Sequence, residues 1–186
     1  MLKIKTNNYR TNTSTSTNVH NTLARLKDLP KIFALMLSLV AAALTSTAQA
    51  TIVQFQTTMG NFEINLFDDE VPLTVANFLS YVQGGDYANT IVHRSVPGFV
   101  VQGGGFGFGE SGITNVVTQP PVTNEPIFSN VRGTIAMAKL NNQPNSATSQ
   151  WFINLQDNSN TLDANTSASS NGGFSVFGIV TGSGMD

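Results

Sequence analysis

The chain predicts a mainly β domain, an antiparallel barrel or a sandwich, preceded by a targeting segment. Three observations point there. Several short runs alternate apolar and polar residues or are rich in β-branched and aromatic residues. Only one run has a clear helical period. Strands and helices do not alternate regularly, which argues against a doubly wound parallel sheet.

The N-terminal 50 residues read as a leader rather than as part of the domain. Ile32 to Leu44, IFALMLSLVAAAL, is 13 residues without a charge, too short to span a bilayer comfortably. Lys27 and Lys31 precede it, and Ala48-Gln49-Ala50 has the A-x-A form of a signal cleavage site. Met1 to Pro30 is a polar leader rich in Asn, Thr and Ser. The expected organisation is therefore a leader with a secretory signal over 1–50 and one domain over 51–186. The expected location is the periplasm, after cleavage behind Ala50, with contact to membrane only through the transient signal.

Removing the leader changes the charge. Six of the nine Lys and Arg lie in it, and the domain keeps Arg94, Arg132 and Lys139 against ten acids, a formal charge of −7. No basic patch remains for phosphates, so nucleic acid is excluded as a partner class. The chain has no Cys, which removes disulfides and thiol catalysis.

Along the domain, Thr51–Thr57 and Asn61–Phe67 read as a hairpin around a Thr-Met-Gly turn, with Phe62, Ile64 and Leu66 on one face. VPLTVANFLSYV places Val71, Val75, Phe78, Leu79 and Val82 on one helical face. Pro72 suits its first turn, Gly84-Gly85 its end, and Asp68 to Glu70 its positive pole. Ile91 to Phe106, IVHRSVPGFVVQGGGF, holds the domain's single His and sets Arg94 between two apolar runs. Arg is seldom placed so without a partner, and pairing with a carboxylate is the bland explanation. Gly107 to Gly112 matches G-x-G-x-x-G, but the ITNVVTQPP that follows cannot open the helix a dinucleotide site requires. These glycines read as turns and as room for close backbone approach. Val131–Lys139, Trp151–Leu155 and Phe174–Val180 read as further strands, and Asn158–Gly173 as a long polar loop.

HRSVPGFVVQGG, then NEPIFSNVRGTIAMAK, PNSATSQWFIN, LD and FSVFG, in this order and spacing, resemble the cyclophilin family of peptidyl-prolyl isomerases. The NE…RGTIAMA…SATSQWFIN combination is similar to its bacterial periplasmic branch. The resemblance covers about residues 52–186. It implies a closed eight-stranded antiparallel β-barrel capped by helices, with the site on its outer face. The chain stops at Asp186, where the family continues into a last helix and a strand that pairs with the first, so one barrel edge is expected to lie open.

By motif position, the resemblance assigns a catalytic role to Arg94, oriented by Gln102. It assigns the proline pocket to Phe99, Val100, Phe152, Leu162 and Phe174, and a peptide groove to Ala138, Lys139 and Gln150. It implies proline-containing peptides and unfolded exported proteins as partners, a monomer, and neither cofactor nor metal. A non-catalytic, chaperone-like peptide-binding module using the same groove is the alternative. His93 and Ser95 flank Arg94, but neighbouring strand residues face opposite ways, which argues against a nucleophilic device. Val100 and Thr161 stand where the family often has larger residues, so weak cyclosporin binding is expected.

Overall fold

The computed structural model describes residues 2–6, 50–110, 112–164 and 172–186. Most of the expected leader and signal therefore lies outside the described residues. Among the described residues, ten strands and two helices occur in the chain order β1 Lys3–Thr6, β2 Ile52–Thr57, β3 Gly60–Leu66, α1 Pro72–Gly84, β4 Arg94–Val96, β5 Val100–Gly103, β6 Phe106–Gly109, β7 Gly112–Asn115, β8 Thr134–Met137, β9 Trp151–Asn154, α2 Ser159–Leu162 and β10 Val176–Thr181. Eight form one antiparallel sheet in the order β1-β2-β3-β10-β8-β9-β5-β4, and β6-β7 is a separate hairpin.

The sheet is not the closed barrel expected. Closure requires its two edge strands to pair along a ladder. Here β1 and β4 do not pair, and only single bridges, Leu2 to Thr90 and Thr90 to Gly107, lie between β1 and the β6-β7 hairpin. The sheet is a curled half-barrel. Among the described residues, helices are also fewer than "capped by helices" implied, since α2 is a single turn beside the 13-residue α1.

The edge expected to be open is occupied. β1 pairs antiparallel with β2, from Lys3 opposite Gln56 to Thr6 opposite Val53. Leu2 and Ile4 are only 3% and 7% exposed while Lys3 and Lys5 face outward, the two-residue alternation of a strand with one buried face. The main core gathers Phe55, Ile64, Leu66, Ile135, Trp151, Ile153 and Phe177 from the sheet with Val75, Phe78 and Tyr81 from α1. Phe55 meets Trp151 edge-on at 5.2 Å between ring centres.

Helix α1 follows the expected face, adds Tyr81 to it, and ends on Gly85 in the left-handed region at φ 76°. Its positive end is not served by Asp68 to Glu70. Asp68 instead accepts the Thr51 N–H at 2.7 Å. The donors of the first turn go to Glu125, whose carboxylate accepts from the Thr74 N–H at 2.8 Å and the Thr74 hydroxyl at 2.7 Å. The glycines expected as turns and as room for close backbone approach carry strands β6 and β7. The strand expected over 131–139 is confined to Thr134–Met137.

Candidate active site

Strand pairing lays the site out in rows. Arg94 on β4 is opposite Gln102 on β5, Gln102 is opposite Phe152 on β9, and Phe152 is opposite Ala136 on β8. Ala136 in turn faces Val176 on β10. Because side chains alternate along a strand, Val100 and Gln102 share this face while Val101 turns to the main core. Trp151 and Ile153 likewise enter the main core, leaving Phe152 on the other side. There Phe152 forms a second, smaller cluster with Val100, Ala136, Leu162 and Val176, with Phe99, Ala138 and Phe174 packed around it.

A cavity of about 240 Å³ opens over this cluster, bounded by Arg94, Phe99, Gln102, Lys139, Phe152 and Phe174 together with Val100, Ala138 and Leu162. It is smaller than the ~300–1,000 Å³ of whole-ligand pockets, which suits one ring or side chain rather than a complete small molecule. The Phe152 and Phe174 rings meet edge-on at 5.5 Å. The backbone holds that wall too, since the Phe174 N–H donates to the Leu162 carbonyl at 3.0 Å.

Arg94 stands exposed at the rim. Its Nη1 donates to Gln102 Oε1 at 3.4 Å, a long bond, and its guanidinium carbon lies 5.7 Å from the centre of the Phe99 ring. The bland carboxylate partner is replaced by an amide oxygen. Gln102 is itself oriented, donating from Nε2 to Gln150 Oε1 at 2.8 Å. An aligned row of two amides thus points a carbonyl at the guanidinium without neutralising its charge. Gly105 makes room for this row, because a Cβ there would stand 2.8 Å from the Gln150 amide carbon. Gly103 likewise lets β5 lie against the Trp151 ring, which a Cβ would approach to 2.7 Å.

Nine of the ten expected residues meet at the one cavity, and Gln150 borders the next, a recess of about 370 Å³ that shares Gln102, Ala138 and Lys139 with it. Gln143, Asn145, Ser146 and Thr148 line that recess, and they were missed because they sit on an aperiodic polar connector. Ala138 differs in one respect from the groove role expected of it: its N–H is already bonded to the Gln150 carbonyl at 2.9 Å, so it cannot also donate to a peptide. Burial pulls the Lys139 ammonium below its ordinary pKa, and its Nζ lies 5.0 Å from the centre of the Phe174 ring.

His93 borders the same network from behind. Loss of solvent, and then the charge of Arg94, pull its pKa below the ordinary value, against weaker opposing contributions from Gln150 and the Ile91 backbone. Its Nδ1 is buried without a hydrogen-bond partner, and the ring meets Phe106 edge-on at 4.8 Å. Among the described residues no group of three or more His, Asp or Glu gathers as a metal site would require.

Comparison with known proteins agrees with this geometry. Residues 52–186 match the family described as cyclophilin type peptidyl-prolyl cis-trans isomerase/CLD. The chain is 44% identical over 138 residues to a peptidyl-prolyl cis-trans isomerase of Acinetobacter baylyi, covering 73% of this chain and 69% of that one. It is 44% identical over 136 residues to peptidyl-prolyl cis-trans isomerase B of Escherichia coli, covering 72% and 79%. Among solved structures it is similar to a cyclophilin type isomerase of Cryptosporidium parvum determined in the presence of the dipeptide Ala-Pro. That match has a TM-score of 0.55 and 26% identity, and covers 72% of this chain and 79% of the other. A family match over the whole sheet from β2 onward, joined to relatives of this identity, settles the assignment: the chain belongs to the cyclophilin-type peptidyl-prolyl cis-trans isomerases.

Proposed function

We propose that Arg94 lowers the barrier to rotation of an X–Pro bond while the apolar cavity beside it holds the proline ring. Rotation requires the loss of amide resonance, against ~18–20 kcal/mol. As the amide twists, the prolyl nitrogen regains its lone pair and becomes a hydrogen-bond acceptor that neither planar form offers. A guanidinium already fixed at the rim donates to that nitrogen only in the twisted state, which is differential binding of the transition state. No bond to an enzyme group forms, so no nucleophile is needed. Phe99, Val100, Phe152, Leu162 and Phe174 anchor the ring while the carbonyl of the preceding residue swings past Arg94 and Gln102.

The observation that carries this reading is the amide row Gln150–Gln102–Arg94 beside the cavity, which aims a charged donor and leaves its charge intact. A preorganised donor of this kind is worth ~3–4 kcal/mol, two to three decades in rate. Arg94→Ala is therefore expected to remain folded and to lose about 10²- to 10³-fold in kcat/KM on a Xaa-Pro peptide in a protease-coupled assay. Unchanged kcat/KM would remove Arg94 from the mechanism.

The apolar stretch Ile32–Leu44 and the Ala48-Gln49-Ala50 site support an exported enzyme of the bacterial periplasmic kind. There it would accelerate the proline-limited folding of other exported chains, which is otherwise slow, taking ~10–100 s per bond. Cell fractionation with intact-mass measurement of the native protein tests this, a mass beginning at Thr51 being the expected result.

A further inference from the structure

We propose that Asn158 is a positioning residue that sets the shape of the proline pocket by tying its walls together from beneath. It occupies the N-cap position of α2, where an Asn side chain ordinarily accepts from the N–H groups of the first helical turn. Here it makes no such bond. The side chain turns the other way and is 3% exposed. Its Nδ2 donates to the Phe99 carbonyl at 3.0 Å and to Asn154 Oδ1 at 2.8 Å.

The backbone of the same residue reaches the opposite wall. The Asn158 carbonyl accepts from the Leu162 N–H at 2.9 Å, and the Asn158 N–H donates to the Asn130 carbonyl at 2.8 Å. Asn154, which receives the side-chain bond, lies opposite Val100 in the sheet and donates to Thr134 Oγ1 at 2.9 Å. One residue thus links the segment carrying Phe99 and the strand carrying Phe152 through its side-chain amide, and the turn carrying Leu162 through its backbone carbonyl. Through the Phe174 N–H to Leu162 carbonyl bond, the link extends to the fourth wall.

Without the Asn158 donor, Asn154 Oδ1 loses its amide partner and the Phe99 carbonyl is left with the Leu155 N–H at 2.8 Å. The nearest relief is a shift of the Phe99 turn away from Leu162, which widens the cavity without touching the Arg94–Gln102–Gln150 row. Asn158 therefore governs how tightly, and how selectively, the ring is held rather than how fast the bound amide twists. This rests on the reading that the cavity holds the proline ring.

The test compares Asn158→Asp, Asn158→Ser, Phe152→Ala and Thr74→Ala in the full chain. Thr74 is an equally buried polar residue on α1 that does not line the cavity, and it controls for plain loss of stability. Asn158→Asp keeps size and backbone bonds but removes both side-chain donors, and is expected to raise KM about tenfold with kcat within about threefold. It is also expected to narrow the preference for prolyl over six-membered pipecolyl peptides, measured by competition, by about threefold or more. Asn158→Ser, which keeps one donor, should fall between it and the parent, and supplies the measurement if the Asp variant does not fold. Thr74→Ala should lower the melting temperature and leave KM and ring preference alone. The proposal is overturned if folded Asn158 variants keep the parental KM and ring preference, or change no more than Thr74→Ala does. If Phe152→Ala raises KM and the Asn158 variants do not, only the role of Asn158 falls; if Phe152→Ala also leaves KM unchanged, the ring-pocket reading falls with it.

Discussion

Gly105 touches no substrate in this arrangement, yet the amide row depends on it. A methyl group at that position would press on the Gln150 amide, and Gln150 holds Gln102, which in turn orients Arg94. Gly105→Ala is expected to lower kcat about tenfold while leaving KM near the parental value, because it disturbs the aimed donor and not the ring cavity. Equal kcat in the two proteins would show that the row tolerates displacement. His93 makes a prediction of a different kind. With its pKa pulled down by burial and by Arg94, the folded protein favours the neutral ring, whereas an unfolded chain takes up a proton as pH falls through about 6.5. The resulting stabilisation is present above that pH and is lost as pH falls toward the depressed folded value. Denaturant midpoints measured from pH 7.5 to 5 should decline more steeply for the parent than for His93→Gln, and parallel slopes would refute it. Arg94, Phe99, Gln102 and Phe152 were legible in the chain because they lie in contiguous motifs. Asn158 was not, since a polar residue in a polar loop signals nothing until its amide is found bonded to Phe99.

At the scale of elements, period and punctuation carried the information. Helix α1 was legible because its apolar residues recur on one face between Pro72 and Gly85. What caps it was not, because Glu125 approaches from about fifty residues further along the chain, and local reading assigns the nearest acids instead. Glu125→Ala is expected to cost about 1 kcal/mol, as loss of a cap does, seen as a lower denaturation midpoint with kcat/KM unchanged below the transition. A midpoint equal to the parent's would mean that solvent replaces the carboxylate without loss. The β6-β7 hairpin was hidden for another reason. Its three glycines lower strand propensity, and its pairing comes from the register of Phe106 with Asn115 rather than from side-chain pattern.

For the molecule as a whole, the β class and the antiparallel pairing could be read ahead of the structure; closure and the eighth strand could not. Alternation reports which face of a strand is buried and says nothing about whether two distant edges meet. Nor could composition show that Leu2 to Thr6, inside a stretch that reads as a leader, supplies an edge strand with two buried aliphatic side chains. Ile4→Asp would place a charge against the Phe55 layer and is expected to lower stability by about 1–3 kcal/mol while the Arg94 site, strands away, keeps its activity. Amide hydrogen exchange at Ile52–Thr57 should quicken in the same variant, and unaltered exchange there would mean that β1 contributes no protection in solution.

That strand lies on the far side of Ala50 from everything else in the sheet. Trimming the chain behind Ala50 would carry off a ladder already formed, so the sequence of two events in time acquires physical weight. Under the proposed cleavage, a molecule that folds first would give up Leu2 and Ile4 from its interior, whereas one cut first would assemble with the backbone of Ile52–Thr57 bare on one side.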